Sequence, residues 1–225
     1  MKVLYCGYRR WANDILEYLI SRIGIPFYLI KTKEELKNTN TSEYDLLLFV
    51  GWSWIIPASI VNKRNCVCVH PSPLPKYRGG SPLQHQIING EKESMVSLFL
   101  MDNGIDTGPI IIQEPFSLEG ELDDVLQRMT EAGKKAIEKF LVDYLKTHII
   151  ISKDQNHSEA TTFKRRTKAM SEITIDDIKN STAEQLYNKV RCLQDPYPNA
   201  YITCKNGTRL YIEKAKLFDL AHDIF

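Results

Sequence analysis

Two residues, His70 and Asp106, have the types and setting to do chemistry. Residues 66–82 read Cys-Val-Cys-Val-His-Pro-Ser-Pro-Leu-Pro-Lys-Tyr-Arg-Gly-Gly-Ser-Pro, and residues 101–108 read Met-Asp-Asn-Gly-Ile-Asp-Thr-Gly. An apolar run delivers His70 into a loop whose prolines at 71, 73 and 75 stiffen the backbone. A second apolar run, Val96–Met101, leads into a tight turn holding Asp106. Gly104 and Gly108 flank it, which lets backbone approach a ligand closely. Histidine titrates near neutrality, and a carboxylate beside it can orient the ring and stabilise its charged form. Such a pair at the ends of two neighbouring strands moves protons without a metal or a nucleotide motif. Taken singly, each residue has a simpler reading: a satisfied, partly buried histidine, and an Asx turn. The proline loop favours function, because a loop ordered this heavily generally positions something.

Cys66 and Cys68, two apart, share one face of the same run. With Cys6, Cys192 and Cys204 they make five cysteines and no Cys-x-x-Cys pair. That usage points to a reducing compartment, without a disulfide framework or a zinc site. A nucleophilic Cys68 would need a neighbouring base, and His70 lies on its side of the strand. A small buried hydrophobe is the commoner fate of a free cysteine.

The elements that must hold these residues alternate. Strands are expected at Lys2–Cys6, Phe27–Ile30, Leu46–Val50, Cys66–Val69, Ser94–Met101 and Pro109–Glu114. Helical spacing marks Asn13–Arg22, a polar turn at Lys33–Lys37 and a long helix over Leu122–Leu145, and Pro57 sits where a helix could begin. Ser81 and Pro82 open a helix through Ile88 that Asn89-Gly90 ends. The pattern predicts a Rossmann-like α/β fold with an open, mostly parallel sheet over residues 1–151. Residues 152–171, rich in Ser, Thr and Lys, read as a connector. Residues 172–225 read as a small subdomain: a helix from Ser181 or Thr182 to Leu193, then a hairpin of Ala200–Cys204 and Arg209–Lys214 about Asn206-Gly207. In open α/β sheets ligands bind at the carboxyl ends of strands, which is where His70 falls. No phosphate-loop or Gly-x-Gly-x-x-Gly pattern supports a dinucleotide.

The chain has 225 residues and a formal net charge of +1, so charge makes no case for nucleic acid. Its densest basic run, Lys164-Arg165-Arg166 with Lys168, reads as a solvated loop. The N-terminus reads as a strand and not a signal peptide, and no run reaches the roughly 18 apolar residues of a membrane span. A cytoplasmic protein is expected.

His70-Pro71-Ser72-Pro73-Leu74-Pro75, then Tyr77-Arg78-Gly79 and Pro82, resembles the signature of the folate-dependent formyltransferases. So does Gly104-Ile105-Asp106-Thr107-Gly108, and so do Trp54-Ile55-Ile56-Pro57, Asn89-Gly90-Glu91 and Asp195-Pro196-Tyr197-Pro198. The motifs come in the right order over essentially the whole chain, and are most similar to the short sugar N-formyltransferases. The resemblance implies formyl transfer from the co-substrate 10-formyltetrahydrofolate to an amine, with no metal. It implies catalytic roles for His70 and Asp106. Ile55, Ile56, Pro57, Gly104 and Ile105 would wall the folate pocket, with Arg78, Gly79 and Gly80 around the donor. Tyr77, Ser72 and Gln84 are the candidate substrate contacts.

The family's catalytic asparagine lies two residues before the histidine, and here that position is Cys68. Asn65 is on the wrong side of the alternation to replace it. When an amine attacks a formamide-like carbon, charge builds on oxygen. Losing one donor to that oxyanion costs roughly 3 kcal/mol, and a thiol is a weak donor. A backbone amide or protonated His70 covers the role, or the enzyme is slow, or the chain is a folate- or sugar-binding relative without catalysis. A cysteine here with an Arg-Gly-Gly-Ser-Pro loop resembles proteins associated with modified sugars, which favours an enzyme.

Three acceptors compete. Methionyl-tRNA calls for a basic surface, and the residues after the long helix carry no marked basic excess. The Tyr-Arg-Gly loop and Asp-Pro-Tyr-Pro segment look less like the glycinamide ribonucleotide branch. A nucleotide-linked amino sugar, as in polysaccharide biosynthesis, fits best. Trp11, Trp52, Trp54, Tyr77 and Tyr197 could stack on a base or sugar face. The terminal hairpin could serve as a homodimer surface or a lid.

Overall fold

Strands that are apolar throughout need cover on both faces, and helices supply it here. The computed structural model describes residues 1–63 and 65–218. β1 (Val3–Cys6), α1 (Arg10–Arg22), β2 (Phe27–Ile30), α2 (Lys33–Asn38) and β3 (Leu46–Val50) open the chain. The single turn α3 (Ala58–Val61) precedes β4 (Cys66–His70), the short β5 (Arg78–Gly79) and α4 (Pro82–Ile88). β6 (Glu93–Leu100) and β7 (Ile110–Ser117) follow, then the long α5 (Leu122–Thr147). Beyond lie β8 (Thr162–Phe163), α6 (Ile175–Asn180), α7 (Ala183–Arg191), β9 (Ala200–Thr203) and β10 (Arg209–Ile212).

The central sheet has the order β2-β1-β3-β4-β6-β7. β2, β1, β3 and β4 are parallel, and β6 and β7 add antiparallel to them. The Rossmann-like, mostly parallel sheet is therefore present with an antiparallel flank. Alternate strand residues divide between two cores. Val3, Tyr5, Leu46, Leu48, Val67 and Val69 share one with side chains of α1 and α5. Leu4, Cys6, Leu47, Phe49 and Cys66 share the other with Ile30, Leu36 of α2, and Ile56 and Val61 around α3. The second face thus has thinner helical cover, and a cleft opens where it meets the first core.

The antiparallel flank corrects one expectation. His70 pairs with Ser97, and Leu100 pairs with Val67. The end of β6 therefore lies beside the start of β4, not beside His70. Asp106 reaches the histidine only because the loop after β6 doubles back across the thinly covered face.

Most element bounds match to within a few residues. α1 starts at Arg10, a turn earlier than the spacing suggests. β7 continues through Pro115 to Ser117, which an edge strand tolerates because the missing N–H faces away from the ladder. Ser81 does not cap α4: it sits at φ 55° and its side chain caps nothing there. α7 is capped by Thr182, whose partner in the box is Gln185. α6 was not expected, although Thr174 and Asp177 form a capping box at its start. The C-terminal elements add Ile173, Val190, Cys192, Leu193 and Ala200 to the first core. Among the described residues no helix is long and apolar enough to cross a membrane.

Candidate active site

β4 ends by aiming His70 at the cleft, with the residue 7% exposed. Its Nε2 lies 2.9 Å from the carbonyl oxygen of Tyr77. A carbonyl only accepts, so Nε2 carries a proton and Nδ1 is the atom free to gain or lose one. Nδ1 stands 3.5 Å from Asp106 Oδ2. The sequence reading gave ring orientation to the carboxylate, in the manner of a hydrolase triad. The structure gives it to the Tyr77 carbonyl instead, and Asp106 shares the working nitrogen with whatever binds in the cleft. Tyr77 holds φ 58°, a backbone setting costly for a residue with a side chain. Three contacts hold it there: Tyr77 N–H to Thr161 Oγ1 at 2.8 Å, its hydroxyl to Glu91 Oε1 at 2.8 Å, and a stack on Phe163 with centroids 5.0 Å apart.

Asp106 is fixed just as firmly, at φ 54°. The Gly79 N–H donates to its Oδ2 at 2.8 Å. Gln155 Nε2 donates to the carbonyls of Asp106 at 3.0 Å and Gly108 at 2.7 Å, and Gln155 Oε1 accepts from Arg78. Arg78 is buried and also meets His157 Nδ1 at 3.1 Å. It braces the aspartate loop from behind and does not line the cleft, contrary to its assignment as a donor contact. A Cβ on Gly104 would strike Thr107 Oγ1 and one on Gly108 the Leu100 carbonyl, so both glycines are required by the turn itself, and Gly104 also lines the cleft.

Prolines 71, 73 and 75 have no N–H to donate, and the loop's carbonyls find side chains that sequence reasoning missed. Ser97 Oγ donates to Ser72 O at 2.6 Å, Gln113 Nε2 to Leu74 O at 3.0 Å, and Gln86 Nε2 to Pro71 O at 2.9 Å. The signal available was the presence of polar residues in otherwise apolar segments. Ser72 is fully buried and bonds to the Lys76 carbonyl. Ser72 and Tyr77 therefore hold the loop, and neither lines the cleft as a substrate contact. Gln84 does line it, bonded to Tyr197.

The cleft has a volume of about 1110 Å³. Cys68, His70, Asp106, Gly79, Gly80, Gly104 and Ile105 line it, as do Ile55, Ile56 and Pro57. Burial, and then the Asp106 charge, push the Cys68 thiol well above its ordinary pKa, so it is protonated and no nucleophile. Its only hydrogen bond among the described residues is a long 3.8 Å contact to Val69 O. Ile55 is 91% exposed and Ile105 62% exposed, an open apolar flank that asks for a flat partner. Trp52, T-shaped against Trp54 at 4.9 Å, lines the same cleft and leaves its buried Nε1 without a partner among the described residues. Apolar walls with a spare donor suit a pterin, which has broad faces and polar edges. Among the described residues no cluster suited to a metal occurs.

The segment read as a connector walls the cleft as well. β8 pairs in parallel with β5. A Cβ on Gly79 would strike the Phe163 carbonyl and one on Gly80 the Arg165 backbone, so the paired glycines exist to admit this segment. The basic run at 164–168, expected as a solvated loop, consequently lines the cleft.

The family described as Formyl transferase matches residues 29–145. A methionyl-tRNA formyltransferase of Orientia tsutsugamushi is 30% identical over 92% of this chain, which spans 66% of that relative's length. A solved methionyl-tRNA formyltransferase from Clostridium thermocellum superposes with a TM-score of 0.76 at 29% identity, covering 94% of this chain and 97% of that one. A sugar N-formyltransferase from Shewanella reaches 0.78 at 20% identity, covering 97% and 99%, a likeness of fold. The matched stretch takes in more than half of the chain and both residues of the histidine–aspartate pair. This chain belongs to the formyl transferase family.

Proposed function

We propose that the protein transfers a formyl group from 10-formyltetrahydrofolate to the amine of a nucleotide-linked amino sugar. One observation carries the transfer: His70 Nδ1 lies 3.5 Å from Asp106 Oδ2 at a cleft large enough for two substrates. Bound there, 10-formyltetrahydrofolate supplies the formyl carbon. Ile55, Ile56, Pro57 and Ile105 receive its flat portion, and Trp52 Nε1 offers a hydrogen bond. His70 Nδ1 takes the proton that the attacking amine gives up and returns it to the departing nitrogen. Such general acid–base help is typically worth about 10²–10⁴ in rate. Asp106, held by the Gly79 N–H, stabilises the imidazolium in between. With Cys68 a poor donor, the protonated Nδ1 is the charge nearest to the developing oxyanion.

A second reading, methionyl-tRNA as acceptor, is favoured by the 30% identity to the Orientia tsutsugamushi protein. Mass spectrometry decides. The protein is given 10-formyltetrahydrofolate with a panel of nucleotide-linked amino sugars, and separately with charged initiator tRNA. The expected result is a formylated sugar nucleotide. Formylation of the tRNA alone selects the second reading, and no product from either overturns the transfer. His70→Asn should abolish product while keeping folate affinity within about tenfold.

A further inference from the structure

Five cations line one flank of the cleft: Arg9, Lys164, Arg165, Arg166 and Lys168. None is in an ion pair among the described residues. The carboxylates of the cleft are Asp102 and Asp106, and both are engaged elsewhere. Asp102 closes its own turn through Gly104 N and Thr107 Oγ1, and Asp106 serves Gly79 and His70. A chain of net charge +1 has therefore gathered uncompensated positive charge at one place.

The flank is built, not merely solvated. The Gly80 N–H donates to Phe163 O at 2.9 Å, and the Arg166 N–H to Ser81 Oγ at 3.1 Å. This explains the left-handed Ser81, whose hydroxyl is spent on the basic segment and not on capping a helix. Arg165 reaches the Ser53 carbonyl at 3.4 Å, and Arg9 the Ser53 hydroxyl at 3.2 Å, so one loop ties both cations together. Arg166 is half-buried, and burial works against its charge. One of its guanidinium nitrogens bonds to Met170 O, but Nε is buried with no partner among the described residues. A guanidinium held in this way lacks an anion.

We propose that Arg166, with Arg165 and Lys164, forms a subsite for the diphosphate of the acceptor, a nucleoside diphosphate sugar. The assignment rests on the formyl-transfer reading and gives its acceptor a binding group. The folate also carries carboxylates at its tail. Its flat portion belongs on the apolar flank of Ile55 and Ile105, leaving the cationic flank beside Gly80 for the second substrate. Arginine forks match phosphate oxygens two at a time.

Calorimetry on the full chain tests this without turnover. The probes are UDP, dTDP, inorganic pyrophosphate and the unphosphorylated nucleosides, with 5-formyltetrahydrofolate titrated separately. A nucleoside diphosphate should bind, and more weakly as salt rises. Arg166→Gln should weaken it by about tenfold or more, and Arg165→Gln, at an exposed side chain, by a smaller factor. Folate affinity should stay within about twofold in both. Unchanged diphosphate affinity in both variants overturns the subsite. So does loss of 5-formyltetrahydrofolate binding in Arg166→Gln, which would hand the flank to the folate tail. Weakened binding of charged tRNA in a protein that ignores UDP and dTDP overturns it in favour of RNA phosphates. Failure of the wild type to bind folate strikes the formyl-transfer reading instead, and leaves the diphosphate result to decide the subsite.

Discussion

Cys68 occupies the place where the family asparagine would donate to the oxyanion, and its thiol makes a long 3.8 Å contact to Val69 O. If the imidazolium Nδ1 supplies the missing donor, restoring the amide adds little. Cys68→Asn should then leave kcat within about tenfold of wild type, where a missing oxyanion donor would be worth about 10²–10³. A wild type without activity that the asparagine revives would mark a binding protein. The raised thiol pKa gives a second check. Alkylation needs the thiolate, so iodoacetamide labelling of Cys68 at pH 7 should be far slower than at the exposed Cys204. Mass mapping of labelled peptides reads both. His70, Asp106 and Cys68 were legible in the sequence because their types and neighbours are unusual. The group that orients His70 was not, because it is a backbone carbonyl, and no residue type announces where a carbonyl points.

Between elements, the antiparallel pairing of β4 with β6 decides how the site is assembled. Alternation of strand and helix predicted the sheet, but not that β6 would run backwards and leave its loop to recross the face. Nor did composition show that a polar stretch after α5 would return to that loop. Gln155 carries this return: it ties the carbonyls of Asp106 and Gly108 to Arg78 on the far side. Gln155→Leu has similar bulk but cannot make these bonds. It should release the left-handed Asp106 turn and lower kcat by about 10²-fold, the usual consequence of a small misplacement of catalytic groups. KM for either substrate should move much less, because Gln155 does not line the cleft. Steady-state kinetics separate the two, and an effect confined to KM would mean that the loop keeps its place without this bridge.

Across the whole molecule, the cleft lies where the two faces of the sheet meet. Val69, Leu83, Met129 and Leu193 of the core packed by α1 and α5 line it beside Phe49, Ile56 and Val61 of the thinner one. The sequence divides near residue 152, yet the first core runs on through Val190, Cys192 and Ala200. Arg191 makes a buried polar link across. Buried among these residues, it donates from Nη1 to Leu118 O at 2.7 Å and Gly120 O at 3.0 Å. Arg191→Ala would leave both carbonyls without that donor, at about 1–3 kcal/mol for a buried group deprived of its partner. All three tryptophans, Trp11, Trp52 and Trp54, precede β4, so their fluorescence reports the far half of the chain. If the molecule unfolds as one unit, Arg191→Ala must lower the urea midpoint seen by tryptophan as much as that seen by circular dichroism. A tryptophan transition left in place while the dichroism splits would show that the C-terminal elements unfold on their own.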